Sequence, residues 1–261
     1  MTRLLPPCPS RRRSRRGAWL RQLAWCASLC GAATVSPAEG LRVQGLDPEA
    51  AACATTLARL NRGLPAQDPA ALLEAATQYE SGECVARDLV RAAQYLAAAA
   101  RAGNLDATRR LARKFGHGEG VQQSYANAGA WLSGNGSSEQ PLGRWEYSIG
   151  YAYTIATEAI ERARVPIEQL MGAPDLSLAL DLDSLRPADP ALRVVGELSP
   201  RADAAVFSFA GALREAAAAA VRALPPADPK LIGSARVTIP LSLRWRNAKT
   251  LELKQGEAIL R

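Results

Sequence analysis

One histidine, His117, serves all 261 residues, and aromatic residues make up only 5% of them. A Ser/His/Asp or Cys/His triad would have to use that imidazole, and no nucleophile motif accompanies it. The low aromatic share removes large rings as the main filler of a core. With 48% apolar residues and abundant alanine, the interior has to come from helices packed closely over small side chains. No CxxC pair and no Cys/His cluster with zinc spacing is present, so the sequence predicts neither a metal site nor a cofactor.

Acidic residues are missing from residues 1–38, and that gap accounts for the net charge of +7. The segment holds Arg3, Arg11, Arg12, Arg13, Arg15, Arg16 and Arg21. Without it the chain carries 25 basic and 25 acidic residues. Phosphate neutralisation needs a clustered positive field; the body of the chain has no evident one, and nucleic acid is not an expected partner.

Residues 1–38 read as a secretory signal. An arginine-rich start leads into an apolar run, Leu23–Val35, and Ser36-Pro37-Ala38 offers small residues for cleavage after Ala38. The run has about 13 residues where roughly 20 span a bilayer. Two outcomes stay open. A cleaved signal delivers the chain to the periplasm; an uncleaved one, extended past Arg21 by Trp19 and Leu20, anchors it in a membrane. Neither Cys26 nor Cys30 sits in a good lipobox, because Trp25 and Leu29 occupy the position that needs a small residue. Ser14-Arg15-Arg16 gives a faint twin-arginine start. Three of the five cysteines, Cys8, Cys26 and Cys30, fall in this segment, which leaves Cys53 and Cys84. An even pair in an oxidising compartment predicts a disulfide, worth roughly 3–4 kcal/mol in the chain-entropy model. Two buried free thiols are the alternative.

The strongest pattern is internal self-similarity. Tyr79 and Phe115, Gly82 and Gly118, Val85 and Val121, Ala92 and Ala128, and Tyr95 and Trp131 are all separated by 36 residues. Ala71 with Ala107 and Ala76 with Ala112 keep the same offset. In the first unit, Leu72, Ala75, Ala76 and Tyr79 line one helical face. Gly82 suits the left-handed conformation that ends a helix, Val85 plugs the turn, and Asp88 caps a second helix that runs to Gly103.

The residues Ala75, Tyr79, Gly82, Val85, Asp88, Ala92, Tyr95, Ala99 and Gly103 resemble the Sel-one-like repeat, a relative of the tetratricopeptide repeat. A second copy matches through Leu111, Phe115, Gly118, Gly120, Val121, Ala128 and Trp131. It departs at Ser124, where the family favours Asp, and at Gly129 and Ser133 in its second helix. The resemblance covers about 65 residues, in units of about 71–103 and 107–134, within a module of 48–134. It implies an α/α solenoid used as an adaptor surface. Two units do not cover both end faces, so Pro48–Leu60, within a helix of about 48–62, is a candidate cap. A Cys53–Cys84 bond would pin it to the first unit.

A loop-rich stretch from Gly134 to Gly143 marks a boundary. Beyond it, Tyr147–Arg164 reads as a helix with Ile149, Ala152, Ile155, Ala159 and Ile160 on one side. Leu176–Asp183 alternates as a half-buried strand does, Pro187–Pro190 makes a turn, and Leu192–Leu198 is a second strand. Phe207–Leu224 is an alanine-rich helix stopped by Pro225 and Pro226, and Ala235–Trp245 is a third strand. Pro240 within it predicts an edge or a bulge. That order, with Ala212, Ala216, Ala220, Val221, Pro225, Pro226, Val237, Ile239, Pro240 and Leu241, resembles the C-terminal domain of TonB and TolA proteins over residues 145–250. The proline-rich spacer of those transducers is missing, the repeat module standing in its place. The turn usual between their first two strands is replaced by Ser184–Ala191.

The fold class expected is therefore multidomain: an all-α helical-repeat solenoid followed by a small α+β TonB/TolA-like domain. His117, within Gly116-His-Gly-Glu-Gly120, follows no strand and reads as a solvated turn histidine rather than part of a phosphate loop. Asp181 and Asp183 alternate along a strand and could share a face, where acid–base work is conceivable but not expected. Tyr95, Trp131, Tyr151 and Tyr153 are the aromatics best placed by type to meet a partner, although spacing puts Tyr95 and Trp131 in the core. Arg214, Glu215 and Arg222 mark the alanine-rich helix as packed rather than membrane-spanning. The function expected is a non-enzymatic, exported periplasmic adaptor that binds another envelope protein or peptide. The alternative is an anchored, TonB-like transducer or accessory factor at outer-membrane receptors.

Overall fold

Four successive helices begin on a side chain that stands in for a missing turn. Asp68 accepts the Ala70 N–H ahead of Pro69, Asp88 accepts those of Val90 and Arg91, Asn104 that of Ala107, and Ser124 that of Asn127. Each cap satisfies amide groups that a helix leaves without partners. The computed structural model describes residues 51–136, 143–163, 175–196, 200–247 and 250–261. The segment read as a secretory signal, the cleavage site expected after Ala38 and the first residues of the expected capping segment lie outside them. All the described residues belong to one unit, Val35–Arg261.

Among the described residues there are seven α-helices and five strands, in the order α1 (Ala51–Gly63), α2 (Pro69–Ser81), α3 (Leu89–Arg101), α4 (Leu105–His117), α5 (Tyr125–Leu132), α6 (Arg144–Arg162), β1 (Leu176–Asp183), β2 (Ala191–Val194), α7 (Pro200–Ala223), β3 (Arg236–Asn247), β4 (Thr250–Gln255) and β5 (Ile259–Leu260). A helical N-terminal part is thus followed by an antiparallel sheet with helices on one face. Helices α2 to α6 pack in succession, each against the next.

The tightest of these contacts is between α5 and α6, and two glycines allow it. A β-carbon on Gly129 would stand 1.7 Å from the Glu146 carbonyl oxygen, and one on Gly150 would stand 1.9 Å from the Tyr125 carbonyl oxygen. The backbones therefore touch directly. Helix α6 is buried from Tyr147 through Thr157 and again at Ala159 and Ile160, as befits a helix enclosed on all sides. It packs on α4 and α5 as well as on α7, β1 and β3.

The sheet runs β2-β1-β3-β4, all antiparallel, with β5 also pairing β3. The β1–β3 register sets Leu178 opposite Leu241, Leu180 opposite Ile239 and Leu182 opposite Val237. These six are buried, with Phe209 and Leu213 of α7 in the same core. Alternation turns Asp181, Asp183, Thr238 and Pro240 to the other face.

Several elements differ from the sequence reading. The strand expected over Leu192–Leu198 ends at Val194, and the helix expected from Phe207 begins at Pro200. The sheet continues past residue 250 through β4 and β5, which the sequence reading does not contain. Pro240 sits in a central strand, not at an edge. Its carbonyl accepts the Gly256 N–H at 2.7 Å, where the partner of β3 changes from β4 to β5. The missing proline N–H therefore faces an interruption in the ladder, the bulge-like position where proline is tolerated.

Candidate functional site

The helical part is built from two turns of the same construction, 36 residues apart. Gly82 (φ 76°) and Gly118 (φ 78°) close α2 and α4 in the left-handed region. The Asp88 N–H donates to the Tyr79 carbonyl at 2.9 Å, and the Ser124 N–H to the Phe115 carbonyl at 2.8 Å. Ser124, the departure from the aspartate of the first copy, performs the same capping. Tyr79, Val85, Ala92, Tyr95, Phe115 and Ala128 are buried; Val121 and Trp131 are half-buried. Tyr79 stacks on Tyr95 at 5.6 Å between centroids, and Arg101 lies over the Trp131 ring at 5.7 Å. Gly103 also has a positive φ, just past the end of α3. Cys53 on α1 and Cys84 in the α2–α3 turn are at bonding distance, with Cα atoms 5.2 Å apart. Neither is a free thiol.

Charged side chains tie α2, α4 and α6 into one face. Glu80 on α2 pairs with Arg110 and with Lys114, whose Nζ lies 2.8 Å away; Lys114 is buried and also lies 3.8 Å from Glu119. Arg113 pairs with Glu161 on α6. A buried lysine needs such a carboxylate because an unpaired ammonium is costly out of water. The sequence gives little sign of this network, because its partners on different helices lie 30 to 48 residues apart.

His117 corrects the expectation of a solvated turn residue. It is the last residue of α4, its side chain is 15% exposed, and its Nε2 lies 3.7 Å from the Glu158 carboxylate of α6. Among the described residues nothing hydrogen-bonds that nitrogen. Glu158 also accepts from Arg162 at 2.5 Å. Tyr95 lies in the core, as its spacing predicts, while partner contact through Tyr151 and Tyr153 is corrected. All three are buried, and burial pushes the Tyr151 and Tyr153 phenols up. Tyr151 meets Tyr125 edge-on at 5.1 Å, while the Tyr125 hydroxyl donates to the Pro225 carbonyl at 2.7 Å. The loop after α7 is thereby fastened to α5 and, through the Asp228 N–H to the Tyr147 oxygen at 2.6 Å, to α6.

On the face of the sheet opposite α6 and α7, Asp181 accepts from Arg193 Nε at 2.5 Å and from the Thr238 hydroxyl at 2.5 Å. Burial alone would push its carboxyl up. The hydrogen bonds from Arg193 and Thr238, with the charges of Arg193 and Arg236, outweigh it and hold the group below the usual carboxylate range. Asp183 accepts the Leu185 N–H at 2.8 Å. The two aspartates share a face as expected, yet Asp181 is occupied by its own strand neighbours. Among the described residues no group of three or more His, Cys, Asp or Glu side chains is placed to hold a metal.

Helix α7 is only one-sided in its packing. Its segment Asp203–Ala223 is long and apolar enough to cross a membrane by length and composition. Ala205, Phe209, Leu213, Ala217 and Ala220 are nonetheless buried and the helix packs on α6, while Phe207 is 84% exposed. No family model, curated protein or solved structure matches this chain.

Proposed function

We propose that the chain is an exported, non-catalytic adaptor of the bacterial envelope. It is built from two Sel-one-like helical repeats and a TonB/TolA-like α+β domain, and it binds another envelope protein or peptide. The observation that carries the reading is the pair of matched turns, Tyr79–Asp88 and Phe115–Ser124, with the same glycine conformation and the same hydrogen bond at a 36-residue interval. Tyr151 on α6 extends that interval by one more step. In this reading α6 is the first helix of an incomplete third unit, and α1, fastened by Cys53–Cys84, caps the other end. Stacked first helices present a continuous surface, here α2 and α4, continued at the end of α6 by Glu161, in the way solenoids offer an extended binding face. Edge strands β2 and β4 offer a second mode, strand addition.

Two measurements test this. Mass spectrometry of the chain from a periplasmic extract is expected to find an N-terminus at Glu39; retention of residues 1–38 would instead favour the anchored form. A photo-crosslinking residue at Thr77 or Arg113 is expected to capture one discrete protein, while the same residue at Lys230 does not. A cytoplasmic chain, or adducts that do not distinguish these positions, would end the adaptor reading.

A further inference from the structure

Among the described residues, helices pack on one face of the sheet. On the other, at the end where β1 and β5 finish and β3 begins, lies an open cleft of about 630 Å³. Four arginines line it: Arg186 in the β1–β2 connection, Arg193 on β2, Arg236 on β3 and Arg261 after β5. Such a volume falls within the range of ligand sites.

Three aspartates, Asp181, Asp183 and Asp189, line the cleft beside the four arginines, so its side chains carry one net positive charge. Asp181, with a side chain 11% exposed, is taken by Arg193 and by the Thr238 hydroxyl. Asp183 is opposite Arg236 in the β1–β3 register and accepts the Leu185 N–H, while Asp189 lies 4.0 Å from Arg214 of α7. Arg236 and Arg261 exchange both backbone hydrogen bonds, at 3.0 and 2.9 Å. That exchange makes them a directly opposed pair with side chains on the same face. Like charges so placed repel. Among the described residues no carboxylate lies within 4.0 Å of Arg186, Arg236 or Arg261, whereas Arg193 has its aspartate. The cleft thus has one paired arginine at its floor and, at its rim beside Asp183 and Asp189, three guanidinium groups with no carboxylate at ion-pair distance among the described residues.

We propose that this cleft binds an acidic peptide segment, with paired Asp or Glu carboxylates held by Arg236, Arg261 and Arg186. A guanidinium presents parallel N–H donors in a plane that matches a planar carboxylate. Two adjacent arginines fit two carboxylates spaced along an extended chain. The relief of their mutual repulsion favours the bound state. The site lies on the sheet, away from the face formed by α2, α4 and α6, and does not depend on the adaptor reading of the helices.

Fluorescence anisotropy of labelled hexaglutamate, with the whole mature chain at low salt, tests the proposal. Saturable binding is expected. Arg236→Glu is expected to weaken it by about tenfold or more, the scale of one charge-assisted hydrogen-bonded contact. Arg236→Gln, a milder change, should weaken it in the same direction if the reversal disturbs folding. Arg244→Glu makes the same charge change on the same strand outside the cleft, and is expected to leave affinity within about twofold. Absence of saturable binding would overturn the proposal. So would equal losses in Arg236→Glu and Arg244→Glu, which would mean net charge alone. Displacement by inorganic phosphate at the concentration at which unlabelled hexaglutamate displaces the probe would also overturn it, because the site would then take any oxyanion. None of these results bears on crosslinking at Thr77 or Arg113.

Discussion

Replacing Gly150 by alanine should destabilise the protein, and the same replacement at Gly211 should stabilise it. Both glycines lie inside helices, where alanine is better by up to about 1 kcal/mol because it restricts the unfolded chain. What differs is the neighbourhood. At Gly211, on the exposed side of α7, a β-carbon meets nothing within 4 Å, so the propensity gain of about 0.5–1 kcal/mol stands alone. At Gly150 the β-carbon would lie 1.9 Å from the Tyr125 carbonyl oxygen and 2.7 Å from the Gly129 nitrogen. These are backbone atoms and have no rotamer to change. Helix α5 has to move away by roughly 1 Å or more, and a gap of that size forfeits a quarter to a half of each flanking dispersion contact. Overpacking of this kind costs about 1–3 kcal/mol, more where backbone must shift. Against the propensity gain the net loss is about 2 kcal/mol, roughly thirtyfold in the unfolding equilibrium. Urea titrations followed by far-UV circular dichroism, without reductant, would measure both variants at matched slope. A Gly150→Ala protein as stable as its parent, or a Gly211→Ala protein less stable, would refute the reasoning. Gly129→Ala in the Gly150→Ala background should cost less than it does alone, since both open the same seam.

Reduction, or Cys53→Ser with Cys84→Ser, should lower stability by about 3–4 kcal/mol in the chain-entropy model; an unmoved urea midpoint would contradict it. Tyr147→Phe removes the acceptor of the Asp228 N–H and should cost about 1 kcal/mol, seen as a lower thermal midpoint than wild type. Asp181 titrates below its unfolded value of about 3.9. Its stabilisation is therefore present above that pH and fades as pH falls through the depressed folded value. Asp181→Asn should be less stable than the parent at neutral pH, with a gap that narrows as pH falls below about 4; a constant gap would show that ionisation is not the cause.

What the sequence disclosed follows the range of the interaction that decides it. Asp88, Gly82 and the apolar stripe Leu72–Ala76–Tyr79 act within a few residues, so the bounds of α2 and α3 were readable. The alternation in Leu176–Asp183 and Val237–Leu243 is equally local, and β1 and β3 follow it. Strands β4 and β5 are short: Leu251 and Leu253 alternate with Glu252 and Lys254 only until Gln255 breaks the pattern, and β5 has two residues, too little to mark either locally. Gly129 reads as decay of a repeat helix, yet its role is set by Glu146 across the seam. His117 looks like a turn residue because α6, which covers it, is absent from its neighbourhood in sequence. The half-buried Asp181 was visible as an acid on a strand, but Arg193 and Thr238, which occupy it, come from two other strands.

The same long-range contacts bear on where the chain divides. The loop from Gly134 to Gly143 is a boundary by composition, but α6 beyond it does not belong to the sheet alone. It lays Gly150 against α5, Thr154 against Gly116 of α4, and Glu158 and Glu161 against His117 and Arg113. A chain ending at residue 134 would leave Tyr125, Ala128 and Gly129 facing water and α5, eight residues long, without its main partner. Helices that short are marginal without tertiary packing. Such a chain should lose α5 and unfold over a broad range of urea, whereas one ending at residue 163 should keep the protection of α4 and α5 amides against hydrogen exchange. A sharp, cooperative transition for the chain ending at 134, with α5 amides as protected as in the whole protein, would place the boundary back at the loop and reduce α6 to a part of the sheet domain.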